Sequence, residues 1–319
     1  MQRSKAQKHI ASWLPWPAGC ACLLLMLLST GLSIQAQDLD SRYLMTQIMV
    51  EGLPQNSINA IVQTRDGYLW MTTFGGLVRF DGISYTVFDV ANTPALPSNR
   101  MVALYEDRAG VLWIGHEGGD LTRYQDAVFS NYTEEDGLPG TTIRTLAEDQ
   151  EGNLWGGTDT GLFRLANEEV TVYTIEDERP LSNRVFSLLV DHTGTLWVGM
   201  KYGLARFTEG QLTGITSSDG LSGFAVGELL EDQAGTLWVG TAQGLFRYTG
   251  TRFVPVLHEG KHLATIGPLA EDRQGTLWVS TADEILAHLE TTTRANGARA
   301  YAIAAAYAVP FVANMIVED

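Results

Sequence analysis

The sequence predicts an all-β fold, a β-propeller with six recognisable four-stranded blades. Tryptophan recurs at spacings of 43, 42, 42, 41 and 40 residues, and a fixed turn motif precedes these tryptophans. Each repeat also divides into four short β-prone segments with no helical period between them. Repeats of roughly 40 residues with four strands are typical of propeller blades. A solenoid is the alternative repeat architecture, but its units are shorter or helical.

The first segment, residues 1–36, has the residue order of a secretory signal peptide. The segment contains no acid, and its three basic residues precede a largely apolar stretch at 18–34. The small residue Ala36 follows this stretch. We expect cleavage after Ala36. An uncleaved inner-membrane anchor is the alternative, because the apolar stretch approaches the length of a bilayer span. Cleavage would remove Cys20 and Cys22, the only cysteines, which suits an oxidising compartment.

The repeats are marked by the motif Asp-x-x-Gly-x-Leu-Trp, found in five of the six copies. In the first copy the acid is displaced to Asp66. Asp and Gly suit the first and last positions of a tight turn, so the tryptophan begins the second strand of each blade. A side chain of this size at that place is expected to pack between neighbouring blades, burying roughly 150–250 Å². These structural residues are Trp70, Trp113, Trp155, Trp197, Trp238 and Trp278.

A second motif, Gly-Leu-x-Arg, follows the tryptophan in four copies. The arginine has two interpretations, a ligand for anions or a hydrogen-bonding residue at the strand end or between blades. Its repetition in blade after blade favours the structural role. These arginines are Arg79, Arg164, Arg206 and Arg247.

The two ends of the repeat region predict how the ring closes. Tyr43–Met49 precedes a Gly-Leu-Pro sequence in the way that the fourth strand of a later copy does, and the sixth copy ends near Leu289 after its third strand. We therefore expect Tyr43–Met49 to complete the last blade, which gives a propeller over residues 42–290 without free sheet edges. Residues 291–319 form an atypical Ala-rich tail, interpreted as a short membrane span, a surface helix or an end produced by truncation.

These motifs together resemble two-component regulator propeller repeats. The resemblance covers residues 42–290, because Gly-Leu-Pro, Asp-x-x-Gly-x-Leu-Trp and Gly-Leu-x-Arg recur there in order. It implies the periplasmic sensor region of hybrid two-component histidine kinases and some diguanylate cyclases, which recognises extracellular ligands, often oligosaccharides from glycan breakdown. Family propellers usually have seven blades, then an immunoglobulin-like domain, a membrane span and an output domain. This sequence shows six blades and no kinase or cyclase motif, so we do not expect it to carry out phosphotransfer alone.

Composition excludes several other classes of function. The formal net charge is −16, from 21 Lys and Arg against 37 Asp and Glu, which disfavours a nucleic-acid partner. Two adjacent cysteines are too few for a disulfide scaffold or a four-ligand zinc site. The histidines are scattered, and His258 and His262 fall in an expected loop, so we predict neither a metal nor a cofactor.

Candidate ligand-binding residues come from the positions that vary between repeats. Loops before the first strand and between the second and third strands of each blade are expected to surround the central funnel on one face. There the sequence places basic and aromatic side chains that suit carboxylates, sulfates and sugar faces, although they could equally be ordinary exposed loop residues. The candidates are Asn59, Phe74, Arg100, His116, Arg144, Arg184, Phe186, Lys201 and Tyr202.

The sequence therefore predicts a periplasmic or secreted, possibly membrane-anchored sensor propeller without catalytic activity. Its expected ligand is a polyhydroxylated oligosaccharide, neutral or anionic, or another small molecule. It would act through a membrane-bound signalling partner, self-association or an output region. Two alternatives are a stand-alone protein-interaction scaffold and a propeller carbohydrate-active enzyme. The enzyme needs a convergent acid and base, and adjacent His116 and Glu117 would diverge in a strand or loop.

Overall fold

Antiparallel β-strands make up almost all the regular structure of the chain. The computed structural model describes residues 23–24, 53–55, 57–173, 183–208, 210–215, 217–221, 224–258, 261–263, 265–282, 285–293, 299–308 and 317–318. The predicted signal peptide therefore lies outside the described residues, apart from a two-residue strand β1 (Leu23–Leu24) that pairs with the last strand of the chain. Among the described residues, no helix has the length and apolar character needed to cross a bilayer.

Six four-stranded sheets follow one another along the chain, and in each sheet the strands lie in sequence order. Blades 1 to 3 consist of β2 (Ile58–Gln63), β3 (Leu69–Thr73), β4 (Leu77–Phe80), β5 (Tyr85–Phe88); β6 (Met101–Glu106), β7 (Leu112–His116), β8 (Leu121–Gln125), β9 (Val128–Tyr132); β10 (Ile143–Glu148), β11 (Leu154–Thr158), β12 (Leu162–Ala166), β13 (Glu169–Tyr173). Blades 4 to 6 consist of β14 (Val185–Val190), β15 (Leu196–Met200), β16 (Gly203–Thr208), β17 (Gln211–Gly214); β18 (Val226–Glu231), β19 (Leu237–Thr241), β20 (Gly244–Tyr248), β21 (Phe253–Pro255); β24 (Ile266–Glu271), β25 (Leu277–Thr281), β26 (Ile285–Thr293), β27 (Arg299–Ala308).

The remaining regular elements are short. A two-stranded hairpin, β22 (Leu257–His258) and β23 (Lys261–His262), links blades 5 and 6. Single 3₁₀ turns at Glu134–Asp136 and Ser217–Asp219 follow blades 2 and 4. The last strand, β28 (Val317–Glu318), is the partner of β1. The six-bladed, four-stranded architecture predicted from the repeats is confirmed.

The core of the protein lies between the blades, as the tryptophan spacing predicts. All six repeat tryptophans are buried, with exposed fractions of 0–7%. Trp155 of blade 3, for example, belongs to one cluster with Val185, Leu188 and Val198 of blade 4. Equivalent clusters join blades 1 and 2, 2 and 3, 4 and 5, and 5 and 6. Each blade therefore obtains its apolar core from its neighbour.

A glycine on the second strand allows neighbouring blades to approach closely. A Cβ added to Gly115 in blade 2 would lie 2.6 Å from Cγ2 of Ile143 on the first strand of blade 3, and one on Gly240 would lie 2.8 Å from Cγ2 of Ile266. Real Cβ atoms do not make such contacts, so the backbones can be this close only where the side chain is missing. The same joint recurs at Gly157 and Gly199.

The turns between first and second strands also connect adjacent blades. The guanidinium of Arg65 in blade 1 donates to the backbone carbonyls of Asp107 and Arg108 in blade 2, at 2.8 and 2.7 Å. The backbone N–H of His192 in blade 4 donates to Glu231 of blade 5 at 2.8 Å. We call the end of the propeller that carries these turns the turn face.

The last blade corrects the prediction of ring closure. Its fourth strand is Arg299–Ala308, which pairs with Ile285–Thr293 along nine residue pairs. The prediction that Tyr43–Met49 fills this position is wrong, and Tyr43–Met49 itself lies outside the described residues. The blade extends past residue 290 because the edge of the strand Ile285–Thr293 needs a hydrogen-bonding partner. The returning chain provides this partner strand, and its residues Tyr301 and Ile303 pack against the core. The predicted separate tail at 291–319 is thus partly a blade strand.

Candidate functional site

The end of the propeller opposite the turn face is formed by two sets of loops. One set precedes the first strand of each blade, and the other joins the second strand to the third. We call this end the mouth face. Because the strands of each blade run antiparallel in sequence order, all these loops must lie at the same end of the sheets.

A β-bulge interrupts the first strand of every blade at the same place. In blade 3 the register moves from the pair Ile143–Thr158 to the pair Thr145–Gly157, which leaves Arg144 unpaired. Bulges redirect a side chain and are frequent next to functional sites. Some of the positions that vary between repeats are these bulge residues: Asn59, Val102, Arg144, Phe186 and Gly227.

The bulge in blade 3 carries the centre of a charged cluster on the mouth face. Arg144 forms an ion pair with Asp159 of the loop between β11 and β12, with Nη2 to Oδ2 at 3.1 Å. Nε of Arg184, which precedes the first strand of blade 4, lies 2.8 Å from Oδ1 of the same carboxylate. The hydrogen bond from Arg144, with the charge of Arg184, holds the pKa of Asp159 below its usual value. One carboxylate thus joins two arginines from neighbouring blades, and the group keeps a net positive charge.

A second ion pair lies beside this cluster. Arg100, before the first strand of blade 2, donates from Nη2 to Oε1 of Glu117 at 3.1 Å, and its guanidinium lies 4.3 Å from the ring centroid of Phe74 in blade 1. The hydrogen bond from Arg100 lowers the pKa of Glu117, with a further contribution from the charge of Arg144. Both partners remain accessible, with side-chain exposures of 53% and 40%.

Aromatic rings accompany the basic groups in blade 4. The guanidinium carbon of Arg184 lies 5.4 Å from the ring centroid of Phe186, and Nζ of Lys201 lies 5.1 Å from that of Tyr202. Tyr202 is 44% exposed, so much of its side chain is available to solvent. The structure therefore brings together seven of the nine candidate residues as cation–ring pairs or ion pairs along blades 1 to 4.

Two candidates have internal partners instead. His116 is fully buried, and its Nε2 lies 2.8 Å from the hydroxyl of Thr122. Burial lowers its pKa to about 4, partly opposed by the backbone of Ser98. The amide nitrogen of Asn59 donates to the carbonyl of Met101 in the next blade at 2.8 Å. We therefore place neither side chain on the accessible mouth surface.

Sequence patterns did not assign a role to the two carboxylates that pair with mouth arginines. Glu117 and Asp159 occupy the loops after the second strands of blades 2 and 3, where other blades carry Phe74, Lys201 and Ala242. The sequence signal for such a pair is an acid in one loop followed by an arginine at the start of the next blade, as with Asp159 and Arg184. The partners can be assigned only when the positions of neighbouring blades are known.

The arginines of the Gly-Leu-x-Arg motif lie away from the mouth, on the third strands. Each pairs in register with the tryptophan of its own blade, as in Trp70–Arg79 and Trp155–Arg164. The guanidinium of Arg79 lies 4.5 Å from the ring of Tyr68, and that of Arg164 lies 5.8 Å from the ring of Trp155. The geometry is cation–π packing in these blades.

Metal-ion chemistry has no support in this arrangement. In the part of the chain that the structure describes, no group of three or more His, Cys, Asp and Glu side chains is placed to hold a metal ion. Among the described residues, the mouth presents guanidinium and ammonium donors, paired carboxylates and flat rings.

Comparison with known proteins identifies both the repeat and the fold. The family model described as "two component regulator propeller" matches residues 52–75, 95–118, 137–160 and 180–202, which cover the beginnings of blades 1 to 4. No curated protein sequence matches the chain.

Solved structures share the architecture at low sequence identity. The extracellular domain assigned to the hybrid two-component system BT3049 from B. thetaiotaomicron is 20% identical with a TM-score of 0.63, over 79% of this chain and 39% of that one. The corresponding domain of BT4673 is 20% identical with a TM-score of 0.50, over 70% and 36%. Virginiamycin B lyase from Staphylococcus aureus is 13% identical with a TM-score of 0.59, over 80% and 85%. This chain thus spans about two fifths of the two extracellular domains, and these likenesses establish the fold alone.

Proposed function

We propose that this chain, whose first four blades match the family model of two-component regulator propellers, is an extracytoplasmic sensor propeller whose mouth face binds an anionic oligosaccharide. The two extracellular domains of hybrid two-component systems that share its fold support a role in signalling outside the cytoplasm. Signal transfer would then require a membrane-bound partner, self-association or an output region.

The observation that carries the proposal is the Arg144–Asp159–Arg184 cluster. Two guanidiniums share one carboxylate, and Arg144 has donors beyond the two that bond Asp159. The acid fixes the position of both side chains before a ligand arrives, which reduces the entropy lost on binding. Carboxylate and sulfate groups match the planar fork of a guanidinium. A uronic acid or a sulfated sugar therefore fits this cluster.

The aromatic residues supply the second half of the recognition. Phe74 and Phe186 lie against the guanidiniums of Arg100 and Arg184, and Tyr202 extends the row into the next loop. Apolar faces of sugar rings pack on aromatic side chains, while hydroxyls reach neighbouring polar groups. Since the residues come from four consecutive blades, the surface suits a ligand of several sugar units.

The same contacts favour binding without catalysis. General acid catalysis requires a carboxyl with a raised pKa, whereas Arg100 and Arg144 lower the pKa of Glu117 and Asp159. His116 is buried, with its pKa lowered to about 4. The paired carboxylates Glu117 and Asp159 are therefore poorly suited to act as general acids at neutral pH.

Isothermal titration of the purified chain against uronic acid-containing, sulfated and neutral oligosaccharides tests the proposal. We expect acidic glycans to bind and matched neutral glycans to bind at least about tenfold more weakly. Replacing Arg144 by Ala should weaken the acidic ligand by about tenfold or more, because a hydrogen bond to a charged group contributes about 1.5–3 kcal/mol.

The matched control is Arg252→Ala, since Arg252 is an exposed arginine at the turn face. Its affinity for the glycan should equal that of the unmodified chain, and circular dichroism should show that both variants are folded. A folded chain that binds none of the glycans would refute the proposal. Co-purification of a protein partner at the same mouth residues would instead support the interaction scaffold.

A further inference from the structure

A second recess opens on the turn face, between blades 4 and 5, and has a volume of about 650 Å³. We call it the lower cleft. Its walls include Arg206 on the third strand of blade 4, Arg247 and Tyr248 on the third strand of blade 5, and Tyr301 on the fourth strand of blade 6. Cavities of this size hold small organic ligands. The mouth residues discussed above do not line it.

The acidic groups of the lower cleft are already occupied. Oδ2 of Asp191 accepts from Nε1 of Trp197 at 2.8 Å, and its Oδ1 accepts from the backbone N–H of Thr195 at 2.9 Å. Glu231 accepts from the backbone N–H of His192 at 2.8 Å, and its other oxygen pairs with Nδ1 of the same histidine. Both carboxylates keep their negative charge, but in the described part of the chain neither forms an ion pair with Arg206 or Arg247.

The two arginines, by contrast, keep their donors. Arg206 is exposed, and Arg247 is partly buried with its guanidinium 5.3 Å from the ring centroid of Tyr301. Within the described part of the chain, neither makes a hydrogen bond or an ion pair to a protein acceptor. A recess with saturated acceptors and free guanidinium donors has a clear chemical preference for anions.

Comparison with the other blades shows that this arrangement is local. The equivalent guanidiniums of Arg79 and Arg164 lie against aromatic rings of their own blades, and that of Arg123 donates to Gln125. In blades 4 and 5 the same repeat position opens into the lower cleft. The third-strand arginine therefore packs within its own blade in blades 1 to 3, whereas in blades 4 and 5 it is available to bind a ligand.

We propose that the lower cleft is a second binding site, which takes a small organic anion with a carboxylate or sulfate group. The anionic group accepts hydrogen bonds from Arg206 and Arg247, and a flat or apolar part of the molecule lies along Tyr248 and Tyr301. The hydroxyls of Thr193, Thr195 and Thr249 along the wall offer further polar contacts. This site is independent of the mouth face and does not rest on the proposed function.

Arginine footprinting tests the proposal at the level of single residues. The chain is treated with phenylglyoxal in the presence of phthalate, inorganic sulfate or neutral phthalamide, and modification of each arginine is measured by mass spectrometry. At about twice the Kd of the probe, modification of Arg206 and Arg247 should slow about threefold, since the free fraction is 1/(1 + [L]/Kd). Phthalamide should give no protection, and the phthalate and sulfate arms distinguish the two anionic groups.

Matched variants separate this site from the mouth. Arg206→Gln should weaken phthalate or sulfate binding by about tenfold, and, because the side chain is exposed, the variant should fold normally. Arg144→Ala should leave protection of Arg206 and Arg247 unchanged, even if it abolishes glycan binding. Equal modification rates with anionic and neutral probes would refute the lower-cleft site without bearing on the mouth.

Discussion

At the scale of single residues, the aspartate of each repeat has two structural roles. Oδ1 of Asp107 accepts from the backbone N–H groups of Ala109 and Val111, at 2.9 and 2.8 Å, and closes the turn. Its Oδ2 accepts from Nε1 of Trp113 at 2.8 Å. The sequence interpretation accounted for the turn alone, because residue spacing does not show that a buried indole N–H six residues later needs an acceptor. The bond recurs in blades 3 to 6.

The candidate site shows the same limit of sequence reasoning. The variable register identified Arg144 and Phe186, because alternation along a strand can be read directly from the chain. The loops between second and third strands also contributed His116 as a candidate, but its side chain is buried, with Nε2 2.8 Å from the hydroxyl of Thr122. Ion pairs such as Arg184 with Asp159 join residues of different blades, so their partners could be assigned only from the assembled structure.

Glu228 gives a prediction at this scale, because burial raises its pKa to about 7. The carboxyl is partly buried on the first strand of blade 5, where other blades carry Ala60, Ala103, Thr145 or Ser187. Below its unfolded pKa near 4.5 the folded and unfolded states are both protonated. As pH rises towards 7, the unfolded state ionises first, so this group lowers the stability of the fold.

Glu228→Gln removes this titration and should stabilise the protein at pH 8 by at most about 3 kcal/mol, from 1.36 kcal/mol for each unit of pKa shift. Near pH 4 the variant and the unmodified chain should have similar stability. Urea unfolding at both pH values measures the difference. A difference that does not grow with pH would contradict the raised pKa.

At the scale of elements, the sixth blade shows why the composition of residues 291–319 does not predict their structure. Alanine is the best helix former, so an Ala-rich run suggests a helix. The strand Arg299–Ala308 forms instead because its partner strand offers an unpaired edge and Trp238 offers an apolar contact. Tyr301 meets Trp238 edge to face, with ring centroids 4.7 Å apart, and Ile303 packs on the same cluster. Tertiary packing outweighs local helix propensity here.

Replacing Ile303 by Glu should therefore destabilise the sixth blade strongly. A carboxylate at this position would be placed against the core cluster that contains Trp238, so we expect a loss of about 2–4 kcal/mol in the free energy of unfolding. Thermal or urea unfolding measures it. The matched control is Val128→Glu, on the fourth strand of blade 2, where Val128 is 64% exposed and the change should be within about 0.5 kcal/mol. Equal effects of the two substitutions would show that the fourth strand of blade 6 does not pack as described.

At the scale of the whole molecule, the repeat period was sufficient to predict the architecture. Trp113 and its five counterparts set the blade number, and their burial follows from their place between sheets. The fourth strand of the last blade was predicted wrongly, because Tyr43–Met49 resembles a fourth strand in its sequence context. Strand pairing depends instead on which segment can reach the edge of Ile285–Thr293, and Arg299–Ala308 does so.

Shared cores predict that the blades unfold together. Each interblade cluster, such as the one that joins Trp197 to Val226 and Phe253, contains residues of two blades. Far-ultraviolet circular dichroism and tryptophan fluorescence should therefore give coincident urea transitions. Val239→Ala, between blades 4 and 5, should shift both curves equally, by about 2 kcal/mol. Separate transitions would mean that individual blades unfold independently, as in open repeat arrays.

The glycine joints have a consequence for how such proteins can change over time. Gly115, Gly157, Gly199 and Gly240 each supply one half of a joint, and a branched aliphatic residue at the start of the following repeat supplies the other. Since blades 3, 4 and 5 each carry both halves, these units are interchangeable at their borders. Duplication or deletion of one unit in a gene would then recreate a fitting joint at once, and blade number could evolve without new packing solutions.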